Sequence, residues 1–84
     1  MPTPIEQTVN IGKELGKRLR SVGIASQEEL LRLGDDAAFG KLTARFADDA
    51  CTHTRLALAG AVRGVRWHGL DEDLRAALTK GLNR

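Results

Sequence analysis

The strongest constraint on this chain lies between residues 52 and 65, in the segment THTRLALAGAVRGV. Placed at about 100° per residue, Leu56, Ala57, Leu58, Ala61, Val62 and Val65 spread around most of a helix's circumference. Arg55, Arg63 and Arg66 fall together on a narrow polar stripe. A helix apolar on nearly every side is stable in water only when other elements cover it. In a chain of 84 residues that makes it the buried centre of one domain, because there is material for a single thin core. Asp48-Asp49 and Thr52 offer competing starts for this helix, and its end is expected near Val65.

The rest of the chain carries signals for further helices and almost none for strands. Residues 1–9 read as a lead-in, with Pro4 able to open a brief helix. Residues 10–82 read as a single helical domain. Asn10-Ile11-Gly12 forms a tight turn, after which Leu15, Leu19 and Val22 recur at helical spacing. Gly23 ends that helix, since glycine takes the left-handed conformation cheaply. Ser26 and Glu29 make a capping box for a helix carrying Leu30, Leu31 and Leu33. Gly34 closes it, and Asp35-Asp36 open a helix with Phe39, Leu42 and Phe46 on one face. Asp71 caps a final amphipathic helix with Leu74, Ala77 and Leu78. The expected fold is all-α, a compact bundle of about five helices around a buried central one. Trp67 is expected to be largely buried against the last helix; its alternative role is a partner-binding anchor.

Composition removes several classes of function. Lys plus Arg number 13 against 11 Asp plus Glu, an excess that permits contact with nucleic acid without arguing for it. Phe39, Phe46 and Trp67 are the whole aromatic complement, too few for a stacking platform on single strands. Cys51 is the lone cysteine, which rules out an internal disulfide and suits a reducing, cytoplasmic setting. No membrane span or signal peptide is legible. Cys51, His53 and His68 have neither metal-ligand spacing nor the orienting third group of a Cys–His nucleophile. No enzymatic activity, cofactor, metal or small-molecule substrate is expected.

The turn at Asn10-Ile11-Gly12, followed by Val22-Gly23-Ile24 and a capped helix, resembles the helix-hairpin-helix pattern. In that pattern backbone amides meet a DNA phosphate without reading sequence. Ile11, Gly12 and Lys13 would supply the amides, and Lys13, Lys17 and Arg20 share one helix face that could track the backbone. The same residues also fit a plain reading, in which Gly12 serves the turn and the lysines form a solvated face. Arg55, Arg63 and Arg66 could likewise meet an anionic partner or pair internally with Asp71, Glu72 and Asp73.

Taken together, Asn10-Ile11-Gly12, Leu15, Leu19, Val22-Gly23-Ile24, Glu29-Leu30 and Leu33-Gly34 resemble the C-terminal domain of the TfoX/Sxy family of bacterial competence regulators. Ala57-Leu58, Gly60-Ala61, Arg63-Gly64-Val65, Trp67-His68, Leu70 and Leu74 continue the likeness. Val9 stands where that family typically has proline. The resemblance implies a helical domain akin to helix-hairpin-helix modules and a part in regulating DNA uptake. Full-length regulators of the family also carry an N-terminal domain, so a stand-alone C-terminal domain is expected here. Two functions follow: docking on a protein partner or a second copy, or non-specific contact with duplex DNA through the Gly12 turn.

Overall fold

The computed structural model describes residues 2–82; Met1, part of the expected lead-in, lies outside them. The apolar segment forms the longest helix, and eight consecutive residues of it, Thr54 through Ala61, are buried. In chain order the helices are α1 Lys13–Ser21, α2 Gln27–Leu33, α3 Asp35–Arg45, α4 Thr52–Arg63 and α5 Glu72–Thr79. Short 3-10 turns at Ile5–Gln7, Ala47–Asp49 and Trp67–Gly69 connect them. Among the described residues there is no strand, only an isolated antiparallel bridge between Pro4 and Ser26. No described helix is long and apolar enough to cross a membrane.

Two apolar clusters meet on α4. On one side Leu58 and Ala61 join Ile5, Ile11, Leu19, Ile24, Leu30, Ala38 and Leu42, drawn from the lead-in and α1 to α3. On the other side Leu56 and Ala59 join Leu70, with Trp67, Leu74 and Leu78 packed against them. Burying each Leu or Ile side chain contributes about 1.5–3 kcal/mol, so α4 draws stabilisation from both faces. The lead-in is part of this structure. The Ile5 amide donates to Ala25 O at 3.1 Å and the Gln27 amide to Thr3 O at 2.8 Å, which seats Ile5, 0% exposed, in the larger cluster.

Helix ends follow their local chemistry. Ser26 Oγ accepts from the Glu29 amide at 3.1 Å, while Glu29 Oε1 accepts from the Ala25 amide and the Ser26 hydroxyl. Asp71 accepts from the Asp73 and Leu74 amides at the start of α5. Gly23 (φ +90°) and Gly64 (φ +74°) each close a helix in the left-handed region. Both helices end with the paired reverse bonds of a Schellman motif: Ile24 N to Leu19 O and Gly23 N to Arg20 O after α1, and Val65 N to Gly60 O and Gly64 N to Ala61 O after α4.

The second of these caps corrects the expected end of the central helix. The helix stops at Arg63, and Val65 stands outside it, 41% exposed. The apolar contact that usually accompanies a Schellman cap joins the residue after the glycine to the helix residue five before it. After α1 these are Ile24 and Leu19, both in the core. After α4 the corresponding helix residue is Gly60, which offers Val65 nothing to pack on.

Gly60 is needed by something else. Asn10 adopts φ +71°, the one non-glycine residue among those described with positive φ. Its Nδ2 donates to Val65 O at 2.9 Å and to Ala57 O at 3.4 Å, and its Oδ1 accepts from the Trp67 amide at 3.2 Å. A Cβ at position 60 would lie 2.5 Å from Asn10 Nδ2 and 2.6 Å from Val65 O. The Asn10 amide therefore occupies the space where a side chain would stand. Gly60→Ala is expected to cost about 1–3 kcal/mol through overpacking. Asn10→Gly, which keeps the left-handed backbone, is expected to cost about 1–3 kcal/mol through the lost hydrogen bonds. Urea unfolding midpoints measure both, and midpoints equal to wild type would contradict the clamp.

Candidate functional site

The start of α1 is the feature most like an anion-binding turn. Gly12 stands at the N-cap in an extended conformation, without a side-chain cap, and is exposed. The first amides of a helix have no intrahelical acceptor, and among the described residues those of Gly12 and Lys13 have no protein acceptor either. Ile11 differs. Its amide donates to Thr8 O at 3.1 Å and its side chain, 4% exposed, belongs to the core. Of the three amides expected to face a phosphate, two remain free.

The cationic face of α1 is likewise divided. Lys13 and Lys17 are exposed and have no carboxylate partner among the described residues. Arg20, in line with them, is held bidentately by Glu6: Nε to Oε2 and Nη2 to Oε1, each 2.7 Å. Gly16 makes this pairing possible, because a Cβ there would stand 2.7 Å from Glu6 Cγ. The Arg20 guanidinium, with the helical turn's own backbone amide, holds the Glu6 carboxyl down at about 2, against an ordinary 4.5. Arg18, on another side of α1, reaches Asp49 at 2.8 Å and Asp48 at 3.1 Å, with its guanidinium 4.7 Å from the Phe46 ring centre.

The arginines read as a stripe on the central helix do not stay together. Arg55 is buried and its Nη1 donates to Asp35 Oδ2 at 2.6 Å, with Asp36 at 3.6 Å. Arg63 Nη1 lies 3.7 Å from Asp35 Oδ1 and donates to Ala59 O. Arg66 is exposed and stands beyond the helix end, at the start of the Trp67–Gly69 turn. The carboxylates of Arg55 and Arg63 come from the first turn of α3, and not from Asp71, Glu72 and Asp73 as the spacing suggested. The reason is tertiary: α3 packs along α4, which brings Asp35 across from Arg55.

Trp67 is more than half buried, packed together with Leu74 and Leu78 against the cluster of Leu56, Ala59 and Leu70. One edge meets His53 and another His68, with ring centres 5.7 and 5.3 Å apart. Among the described residues no three His, Cys, Asp or Glu side chains gather where they could hold a metal ion. Shallow hollows open on the surface. One of about 340 Å³ lies where the α1–α2 turn, α2 and α3 meet, lined by Val22, Ile24, Arg32, Leu33 and Lys41 among others.

Glu6, Asn10, Arg18 and Asp35 escaped the sequence reading as partners for these groups. Asn10 had a signal, since asparagine is enriched in the left-handed region. The pairs of Glu6 with Arg20 and Asp35 with Arg55 span 14 and 20 residues and leave no local trace.

The helix order, the two Schellman-capped helices and the Asn10 clamp can be set beside known proteins. The family model of the TfoX C-terminal domain matches residues 1–82. The chain belongs to that family. A crystal structure of an uncharacterised protein from Listeria monocytogenes (triclinic form) is similar to this TfoX C-terminal domain at TM-score 0.85 and 33% identity, over 98% of this chain and 99% of that one. A tetragonal form of a Listeria monocytogenes protein of unknown function gives TM-score 0.77 and 41% identity, over 84% and 85% of the two chains. The search of curated proteins found no match.

The ion pairs of this TfoX C-terminal domain give two expectations. Because the Glu6 carboxyl is depressed in the folded state, its pairing contributes stability present above its ordinary value of 4.5 and lost as pH falls through about 2. Glu6→Gln should therefore flatten the acid limb of a plot of urea midpoint against pH; identical limbs would count against the pair. Asp35→Ala leaves the buried Arg55 with only the exposed Asp36 at 3.6 Å and should cost about 1.5–3 kcal/mol, whereas Glu72→Ala should stay within about 0.5 kcal/mol. Thermal and urea unfolding of the two variants check the contrast.

Proposed function

We propose that this domain is a non-enzymatic regulatory module that acts in the cytoplasm by docking on a protein partner or a second copy, in the control of competence or transcription. Membership of the TfoX C-terminal domain family supports a regulatory role. The observation that carries the choice of partner is the bidentate grip of Glu6 on Arg20. A carboxylate at the Arg20 end of the cationic row repels the phosphates that the row would have to track. Leu31, Leu33 and Val65, 46%, 37% and 41% exposed, offer the apolar contact that protein docking uses.

Duplex DNA is the second reading, favoured by the free Gly12 and Lys13 amides and by Lys13 and Lys17. With Arg20 engaged, that contact neutralises about two phosphates, so its log–log salt slope on duplex would be about −2. Recovery of partners from host lysate with and without nuclease, together with titration of two unrelated duplexes at several salt concentrations, tests both readings. Nuclease-resistant recovery and no duplex binding at low salt are expected. Salt-dependent binding of both duplexes, weakened by Lys13→Ala and Lys17→Ala and strengthened by Glu6→Gln, would replace the protein partner with DNA.

A further inference from the structure

The surface that the proposed docking would use can be narrowed. Between the α1–α2 turn, the end of α2 and the middle of α3 lies the groove of about 340 Å³. Val22, Ile24 and Leu33 form its apolar part, and the Gly23 turn opens one end without a side chain. Leu33 is 37% exposed, so part of its apolar surface faces the groove opening. Arg32 and Lys41 stand at the rim, both exposed and both without a carboxylate partner among the described residues. Elsewhere in the fold Arg18, Arg20, Arg55 and Arg63 are paired, while Arg66, like Arg32, is in no ion pair among the described residues. Glu29, the one carboxylate lining the groove, accepts from the Ala25 amide and Ser26 hydroxyl at its own helix start.

We propose that this groove docks an acidic amphipathic segment of a partner protein, with an aliphatic side chain seated on Val22 and Leu33 and carboxylates meeting Arg32 and Lys41. The inference rests on the protein-docking reading above. Charge complementarity and an apolar floor select this occupant over nucleic acid: no aromatic ring lines the groove to stack a base, and phosphates gain nothing from leucine and valine. A second copy fits less well. Its exposed Asp71, Glu72 and Asp73 are acidic, yet the flanking Leu70, 6% exposed, and Leu74 are packed against α4, so that segment has no free aliphatic anchor.

The probe is a labelled, end-capped peptide of about 14 residues with leucine at i, i+3, i+4 and i+7 and glutamate on the opposite face. Two control peptides replace every glutamate by lysine or every leucine by alanine. Fluorescence anisotropy should show binding of the acidic leucine peptide, with both controls weaker by about tenfold or more. Arg32→Glu with Lys41→Glu, and separately Leu33→Ser, should each weaken it by about tenfold or more. Amide shifts of Gly23, Ile24, Leu33 and Lys41 in the wild-type NMR spectrum should mark the site without relying on any variant's folding. The proposal is overturned by no binding at about 1 mM peptide, by equal binding of the lysine control, by shifts elsewhere, by tighter binding of a 20-base-pair duplex, or by folded groove variants that bind as wild type. Nuclease-resistant recovery of a host partner by both wild type and the double charge reversal would overturn the groove while leaving the docking reading intact. Loss of all nuclease-resistant recovery by wild type would overturn both.

Discussion

The fold turns on one side-chain amide. Asn10 ties the turn that launches α1 to the backbone that leaves α4, joining residues 55 and 57 positions apart. Three conditions make the tie possible. Asn10 adopts a left-handed backbone, which costs most residues about 1–2 kcal/mol. Gly60 leaves open the volume that the amide fills, and Gly64 reverses the chain so that Val65 O is presented to Asn10 Nδ2. The same amide group receives the Trp67 N–H, which seats the turn leading into α5. The start of α1 and the approach to the last helix are thus set by one contact at the end of the central helix.

Four arginines in this molecule hold its own parts together. Glu6 and Arg20 bind the lead-in to α1, Arg18 binds α1 to the Ala47–Asp49 turn, and Asp35 binds α3 to α4 through Arg55. The last pair is buried, with side chains 9% and 15% exposed; it contributes less to net stability than to the cost of any packing that separates the two groups. Among the charges outside these pairs are lysines 13 and 17 on one face of α1, Arg32 with Lys41 on another side of the fold, and Arg66 beyond α4. The surface chemistry therefore differs from what the count of basic residues implies.

The turn before α1 keeps free amides, but the charges around it differ from the row that the sequence suggested. Gly12 still opens a helix with free amides, as an anion-binding turn does. The acid at position 6 changes what that turn can meet, because its carboxylate sits at the Arg20 end of the row of cations that would follow a phosphate backbone. Beside Leu33 no such neutralisation occurs, and apolar surface and free positive charge lie next to each other. The two sides of the fold thus present different surface chemistry.

Local chemistry in the sequence determined the number and order of the helices. Ser26 with Glu29, Asp71, and the glycines at 23, 34 and 64 act through bonds to residues within five positions, so their effect can be read along the chain. The burial of α4 was legible for a related reason: apolar groups around the whole circumference have no stable place in water. What tertiary structure alone decided was the partner of the long polar side chains and the place of Val65 outside the core. Arg55 turned to Asp35 because α3 lies along α4, Arg20 to Glu6 because the lead-in crosses Gly16, and Val65 left the core because position 60 is glycine and Asn10 fills the gap. Such pairings depend on distances between segments remote in sequence, and those distances exist only once the helices have packed.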